Sequence, residues 1–345
     1  MTRLNELIPD EHHLDEHLSR PSKEVIELVT RLEGDYIFLG IAGKIGPSLA
    51  RMLRRACVKA HIDKCIIGVS RFSNPTLKTE LERDGFEILK GDLLDPDFIH
   101  TLPEVKNVIF LAGMKFGSED NLPLTWAVNS YLPALVAGHF KDSRIIAFST
   151  GCVYELVPVS SGGSLETDVP LPIGEYAQSC LGRERMFEHG SVEHRTPICI
   201  IRLNYAVELR YGVLVDIALK VWNEEEVDLT MGYFNVIWQR DANEFVLRAF
   251  DYCQSPARIL NVTGAEILSV REIAEKFSDL FNKEVRFCGK ESDTALLSNA
   301  KQSFDLFGRP QTKVTQMTKW IAEWLKNGNG IYNKPTHFEV RNGKY

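Results

Sequence analysis

The sequence predicts an α/β fold: a Rossmann-like, doubly wound parallel sheet followed by a smaller C-terminal lobe. Three observations carry this. From Asp35 onward short apolar runs alternate with stretches of helical apolar spacing. The runs lack the polar alternation of half-exposed strands, as parallel strands buried on both faces should. The first run leads straight into a glycine turn and then a helix. The apolar runs fall at 36–39, 65–69, 86–89, 108–112, 145–148 and 198–203, and helical spacing recurs at 45–57 and 124–140. Beyond about residue 205 the pattern loosens, with helices expected over 214–223, from near Asp241, over 270–281 and over 315–326.

The organisation follows from these elements. Residues 1–33 form an acidic N-terminal extension broken by Pro9 and Pro21, with one helix expected over 22–31. Residues 34–205 make the nucleotide-binding domain, to which 234–263 return; 206–233 and 264–330 make the substrate lobe. A polar tail, 331–345, is either frayed or an arm laid on a neighbour.

Composition narrows the function. Hydrophobic residues at 44% and charged residues at 25% exclude a disordered chain. The 345 residues are enough to bury a core without a disulfide or metal staple. Forty basic against 47 acidic residues give a net charge of −7, which excludes a nucleic-acid or anionic-membrane coat. The seven cysteines are odd in number and never spaced CxxC, which reads as reduced thiols in a cytoplasmic protein without a zinc ribbon. The N-terminus lacks an apolar signal core, and no stretch is long and apolar enough for a membrane span.

Tyr36-Ile-Phe-Leu-Gly40-Ile-Ala-Gly43-Lys-Ile-Gly46 is a strand, a glycine turn and a helix start. Gly40 permits the tight turn, Gly43 lets a pyrophosphate approach the backbone, and Gly46 lets the helix sit close to the sheet. The helix N-terminus then presents N–H groups and a partial positive charge to phosphates. After the second strand, NAD sites usually place an acidic residue for the ribose hydroxyl. Here Ser70 and Arg71 follow, a pair suited to a 2′-phosphate, which favours NADP over NAD.

The order of motifs supports a family resemblance. The glycine turn is followed by Gly91-Asp92-Leu-Leu-Asp95, Leu111-Ala112-Gly113-Met-Lys115, Asn129, Ser149-Thr150-Gly-Cys-Val-Tyr154 and Tyr176, then by Asn261-Val-Thr-Gly264 before Ser269-Val-Arg-Glu. Over about residues 35–285 the chain resembles the extended short-chain dehydrogenase/reductases, and within them the NAD-dependent epimerase/dehydratase family. The resemblance implies a Rossmann domain, a smaller substrate lobe and chemistry on a sugar-like hydroxyl. It implies cofactor contacts from Gly40, Ala42, Gly43, Lys44, Ile45 and Gly46, from Ser70 and Arg71, and from Asp92 and Leu93 beside the adenine. Leu111, Ala112, Gly113, Asn129 and Tyr176 complete that set. It also implies an isologous dimer through 124–140 and 176–189.

By the same resemblance Thr150 is the hydroxyl that orients the substrate oxygen, and Tyr176 is the general base. The family's lysine, one helical turn after the tyrosine, is Cys180 here. A tyrosine titrates near ~10, so about 0.1% is phenolate at neutral pH, and moving it to ~7 requires about 4 kcal/mol. A neutral thiol supplies almost none of that. Lys115 is the candidate substitute. Cys180 is a small apolar helix residue, the mark of a degraded site, or a thiol with its own role. Tyr154 reads as an aromatic capping the sheet edge rather than a catalytic phenol.

The second lobe lacks the family's pyrophosphate-clamping arginine, with Phe234 in its place, so a free sugar, sugar acid or polyol is expected over a nucleotide sugar. Asn204, Asn235, Gln239 and Arg240 are the candidate substrate-lining groups. His13-Leu-Asp-Glu16-His17 matches an inverted zinc-protease pattern, but it lies in the extension, read as solvated helix or coil, and no metal is expected. The alternative function is a non-catalytic NAD(P)-binding or redox-sensing protein. A scaffold that binds no nucleotide is the third reading.

Overall fold

The computed structural model describes residues 7–343 apart from 116, 118 and 119. Seven strands form one sheet: β1 (Tyr36–Leu39), β2 (Ile66–Ser70), β3 (Glu87–Lys90), β4 (Asn107–Phe110), β5 (Arg144–Thr150), β6 (Ile198–Leu203) and β7 (Arg258–Val262). Their order is β7-β6-β5-β4-β1-β2-β3, and every pairing is parallel. Parallel strands need crossovers, and the intervening helices supply them.

Before the sheet come α1 (Glu11–Leu18) and α2 (Lys23–Arg31). Interleaved with the strands are α3 (Gly46–Ala60), α4 (Pro75–Arg83), α5 (Pro96–Thr101), α6 (Leu122–Trp126), α7 (Leu132–His139) and α8 (Glu175–His194). After β6 follow α9 (Val213–Trp222), α10 (Gln239–Arg248), α11 (Val270–Phe281), α12 (Lys301–Phe307) and α13 (Val314–Lys326).

Both faces of the sheet are covered, which explains the missing polar alternation. Tyr36, Phe38, Ile109, Ile146 and Ile201 pack under α2, α3 and α10, with Leu49, Leu53 and Phe245. Ile37, Leu39, Val108, Phe110 and Ile200 face the other way, against Leu132, Val136 and Phe187 of α7 and α8. Successive residues of one strand thus enter opposite cores, the period-2 geometry of a pleated strand.

A separate apolar core holds the lobe, with Ile217, Phe277, Trp320 and Trp324 drawn from α9, α11 and α13. The structure corrects the reading of the N-terminal segment as solvated. Its Leu14 and Leu18 are fully buried in this lobe core, and His17 lies edge-on to Trp238 and Trp320. Two apolar residues four apart on a short acidic helix form a narrow stripe, but burying each leucine is worth about 2 kcal/mol.

The expected helix over 124–140 is broken into α6, a π turn at Ala127–Tyr131, and α7. There the Leu132 N–H reaches back five residues to the Ala127 carbonyl. Pro133, which has no N–H to continue an ordinary ladder, follows at once. The widened turn carries Asn129.

Candidate functional site

The glycine turn joins β1 to α3. Gly40 has φ +92°, and a Cβ there would stand 2.7 Å from the Ala112 nitrogen, so turn and β4 exit press together. A Cβ on Gly46 would overlap the Ile41 carbonyl, so only glycine allows α3 to start this close to β1. Gly43 differs: it is exposed, and its Cβ would meet nothing nearer than the Gly40 oxygen at 3.5 Å. No side chain caps the first turn of α3, whose N-cap is Ile45. An open glycine face beside an uncapped fifteen-residue helix fits a pyrophosphate.

Lys44 of this turn reaches over the ring of Tyr211, its Nζ 3.1 Å from the centroid. Burial, reinforced by the nearby ammonium groups of Lys115 and Lys334, pushes its pKa down to about 7. Ala42 lines the adjoining cleft with Gly43 and Lys44. Ser70 ends β2 half-buried, with Arg71 exposed beside it. The Asp92 carboxylate accepts from the Leu94 N–H at 3.0 Å, next to buried Leu93. The Leu111 N–H donates to the Leu39 carbonyl at 2.8 Å and places Ala112 and Gly113 against the turn.

Asn129 fastens that exit. Its Oδ1 accepts from the Met114 N–H, and its Nδ2 donates to the Met114 carbonyl and to Ser179 Oγ, each at 2.9 Å.

The predicted catalytic residues sit at the ends of β5 and α8. Thr150 Oγ1 accepts from the Cys152 N–H at 3.1 Å. Tyr176 opens α8, packed against Cys152, Tyr205 and Leu156, and also against Val153, Tyr154 and Cys180. Burial drives its phenol well above the ordinary tyrosine value, and a hydrogen bond to the Cys180 thiol adds to this. Cys180 is fully buried, and burial pushes its thiol up to about 11. Tyr154 is a core residue: its hydroxyl donates to Asn261 at 2.8 Å and accepts from Arg202 at 2.7 Å.

Lys115 Nζ donates to the carbonyl of Thr336, at 3.1 Å, in the C-terminal tail. That tail lies on its own chain. Thr336 donates from both N–H and Oγ1 to Asp216, Phe338 packs on Phe234, and Arg341 bonds the Thr294 carbonyl at 2.8 Å. Gly343 lies against Ile173 and Gly174, just ahead of Tyr176.

The substrate candidates divide. Asn204 donates to Asn235 at 2.9 Å, and Asn235 to the Ser298 carbonyl at 2.6 Å, a buried chain behind Gly151. Gln239 instead bonds Ser48 of α3, and Arg240 bonds the Arg20 carbonyl, Asp241 and Glu244. These two therefore clamp α10 to α3 and the N-terminal segment and do not join Asn204. The sequence reading also passed over Arg183, buried on α8 with its guanidinium against Gly113.

No protein-family model and no curated protein sequence matches this chain. Solved structures do. A UDP-glucuronic acid 4-epimerase from Bacillus cereus in complex with NAD superposes with a TM-score of 0.69 at 17% identity, covering 85% of this chain and 98% of that one. The chain shares the fold of this structure, here a seven-stranded parallel sheet with helices on both faces. DesIV, a dTDP-glucose 4,6-dehydratase from Streptomyces venezuelae with NAD and TYD bound, gives 0.71 at 16% identity over 85% and 97% of the two chains. MoeE5 in complex with UDP-glucose and NAD gives 0.68 at 16% over 85% and 99%. Among the described residues no helix is long and apolar enough to cross a membrane, and no cluster of three or more metal-ligating side chains occurs.

Proposed function

We propose that the chain is an NAD(P)-dependent epimerase/dehydratase-like enzyme acting on a hydroxyl of a sugar, sugar acid or related polyol. The observation that carries this is the open face of Gly43 beside the uncapped start of α3, on a fold whose solved examples hold NAD. The turn from Gly40 to Gly46 would hold the pyrophosphate, Asp92 and Leu93 the adenosine, and Ala112 with Gly113 the nicotinamide half. Ser70 and Arg71 support NADP. When bound, the cofactor supplies a hydride acceptor. Thr150 would orient the substrate oxygen and Tyr176 would take its proton, with Asn204 and Asn235 lining the sugar site. The tail across Lys115 and Asp216 supports a small substrate rather than a nucleotide sugar. All seven cysteines are free, in keeping with a reducing cytoplasm.

The test is oxidised dinucleotide with a panel of sugars and sugar acids, followed by reduced-nicotinamide absorbance and by product epimers. Tyr176→Phe should abolish turnover with little change in dinucleotide affinity. A redox-sensing protein, favoured by the thiol that replaces the family lysine, would have no turnover to lose.

Lys44 gives a pH signature. Its depressed pKa leaves it largely neutral at pH ~8, and a phosphate anion nearby raises that pKa, so binding takes up most of a proton. Binding enthalpy should therefore vary with the buffer's ionisation enthalpy, and Lys44→Gln should remove the variation.

We also propose an isologous dimer through α6, α7 and α8, where Leu122, Trp126, Tyr131 and Val192 stand exposed. A sedimentation mass of one chain would refute it.

A further inference from the structure

On α8 the lysine position is Cys180, and the helix carries a basic residue one turn later, at Arg183. Residues seven apart share a helix face, and helical side chains lean toward the N-terminus, so Arg183 points back along the face of Tyr176 and Cys180. Its side chain is only 6% exposed. One terminal nitrogen donates to the Phe148 carbonyl at 2.9 Å, two residues before Thr150. The other donates to Asn129 Oδ1 at 2.6 Å, and it lies 2.6 Å from where a Cβ on Gly113 would stand. The guanidinium therefore sits below the β4 and β5 exits, where the nicotinamide half is proposed to lie.

Two features set this arginine apart from a structural one. Among the described residues it has no ion pair, and its Nε has no hydrogen-bond partner. Its neighbour Glu184 is committed to Arg202 and Ser149. Its guanidinium meets two neutral oxygens and the face of the Phe110 ring, 5.7 Å from the centroid, and a buried cation with no anionic partner is costly, a cost the protein recovers when an anion forms within reach. The groups packed around the Tyr176 phenol are Cys180 on its own helix, Cys152 and Tyr154 after β5, and Tyr205 after β6. None of these groups is a cation. Arg183 favours the charged form of both Tyr176 and Cys180, against the larger effect of burial, which keeps both raised.

We propose that Arg183 is the positioning cation of this site, taking over from one turn further along α8 the field that the chain lost with its lysine. It stabilises the phenolate of Tyr176 and, through Asn129, fixes the Gly113 floor. This rests on the proposed role of Tyr176 as the base.

The test uses the full chain saturated with oxidised dinucleotide and labelled with carbon-13 at tyrosine Cζ, with Tyr176→Phe to identify the resonance. In Arg183→Gln the phenolate fraction of Tyr176 at a fixed alkaline pH should fall at least about tenfold, one unit in midpoint, and Arg183→Lys should restore most of it. Arg183→Met keeps an unbranched side chain of similar length without the charge, so it should shift the midpoint the same way and stands in if Arg183→Gln does not fold. An unchanged midpoint in a folded variant would overturn the inference. Failure of the dinucleotide to bind at all would instead overturn the underlying functional reading.

Discussion

Replacing Glu184 with alanine is expected to cost the protein about 3–5 kcal/mol of stability. Glu184 and Arg202 are 0% and 1% exposed and meet at 2.7 Å. Arg202 Nε also reaches the carboxylate, at 3.0 and 3.3 Å, and Ser149 Oγ donates to it at 2.5 Å. Arg202 further donates to the Tyr154 hydroxyl, which itself bonds Asn261. Removing the carboxylate leaves a guanidinium charge buried between β5 and α8. Against a typical total of roughly 5–15 kcal/mol, that is a large fraction.

Two companion variants separate this from simple truncation. Arg202→Met with Glu184→Leu removes both charges and should recover much of the loss. Arg202→Met alone strands a buried carboxylate and should cost a similar amount to Glu184→Ala. Denaturant unfolding checks both outcomes.

The second large effect lies in the glycine turn, where two substitutions should part company. Gly46→Ala forces a methyl into the Ile41 carbonyl, so α3 must move off the sheet and both stability and dinucleotide binding should fall. Gly43→Ala makes only an ordinary contact with the Gly40 oxygen at 3.5 Å, so its thermal midpoint should stay near that of the parent. A bound pyrophosphate would nevertheless be pushed away, and affinity should drop about tenfold or more, ~1.4 kcal/mol upward. A Gly43→Ala protein that is stable but binds normally would show that the turn is purely structural.

The parts of this molecule that were legible from sequence are those where one physical rule acts alone. Apolar runs with no alternation could only be strands covered on both faces, and Tyr36 to Leu39 divide between two cores accordingly. The glycine spacing was equally readable, because the Gly46 side must be empty for α3 to start there. Where tertiary packing decides, the sequence was mute. Leu14 and Leu18 gave too narrow a stripe to reveal that α1 is buried. Gln239, which lines the cleft beside Gly43, also bonds Ser48 of α3, and Arg240 bonds the Arg20 carbonyl, because polar groups on a buried helix must find partners there. Arg183 was overlooked although it shares the spacing of Tyr176, since an arginine in the charged run Arg183-Glu-Arg185 reads as exposed. The tail's path depends on contacts more than 40 residues away, which no local pattern encodes.

The most direct measurement is a fluorescence titration of the purified protein, freed of co-purified nucleotide, with NADPH and with NADH. Saturable binding of one or both is predicted, tighter for NADPH and weakened about tenfold or more by Gly43→Ala. Absence of binding by either would contradict the assignment of this site and leave the glycine turn as a structural corner.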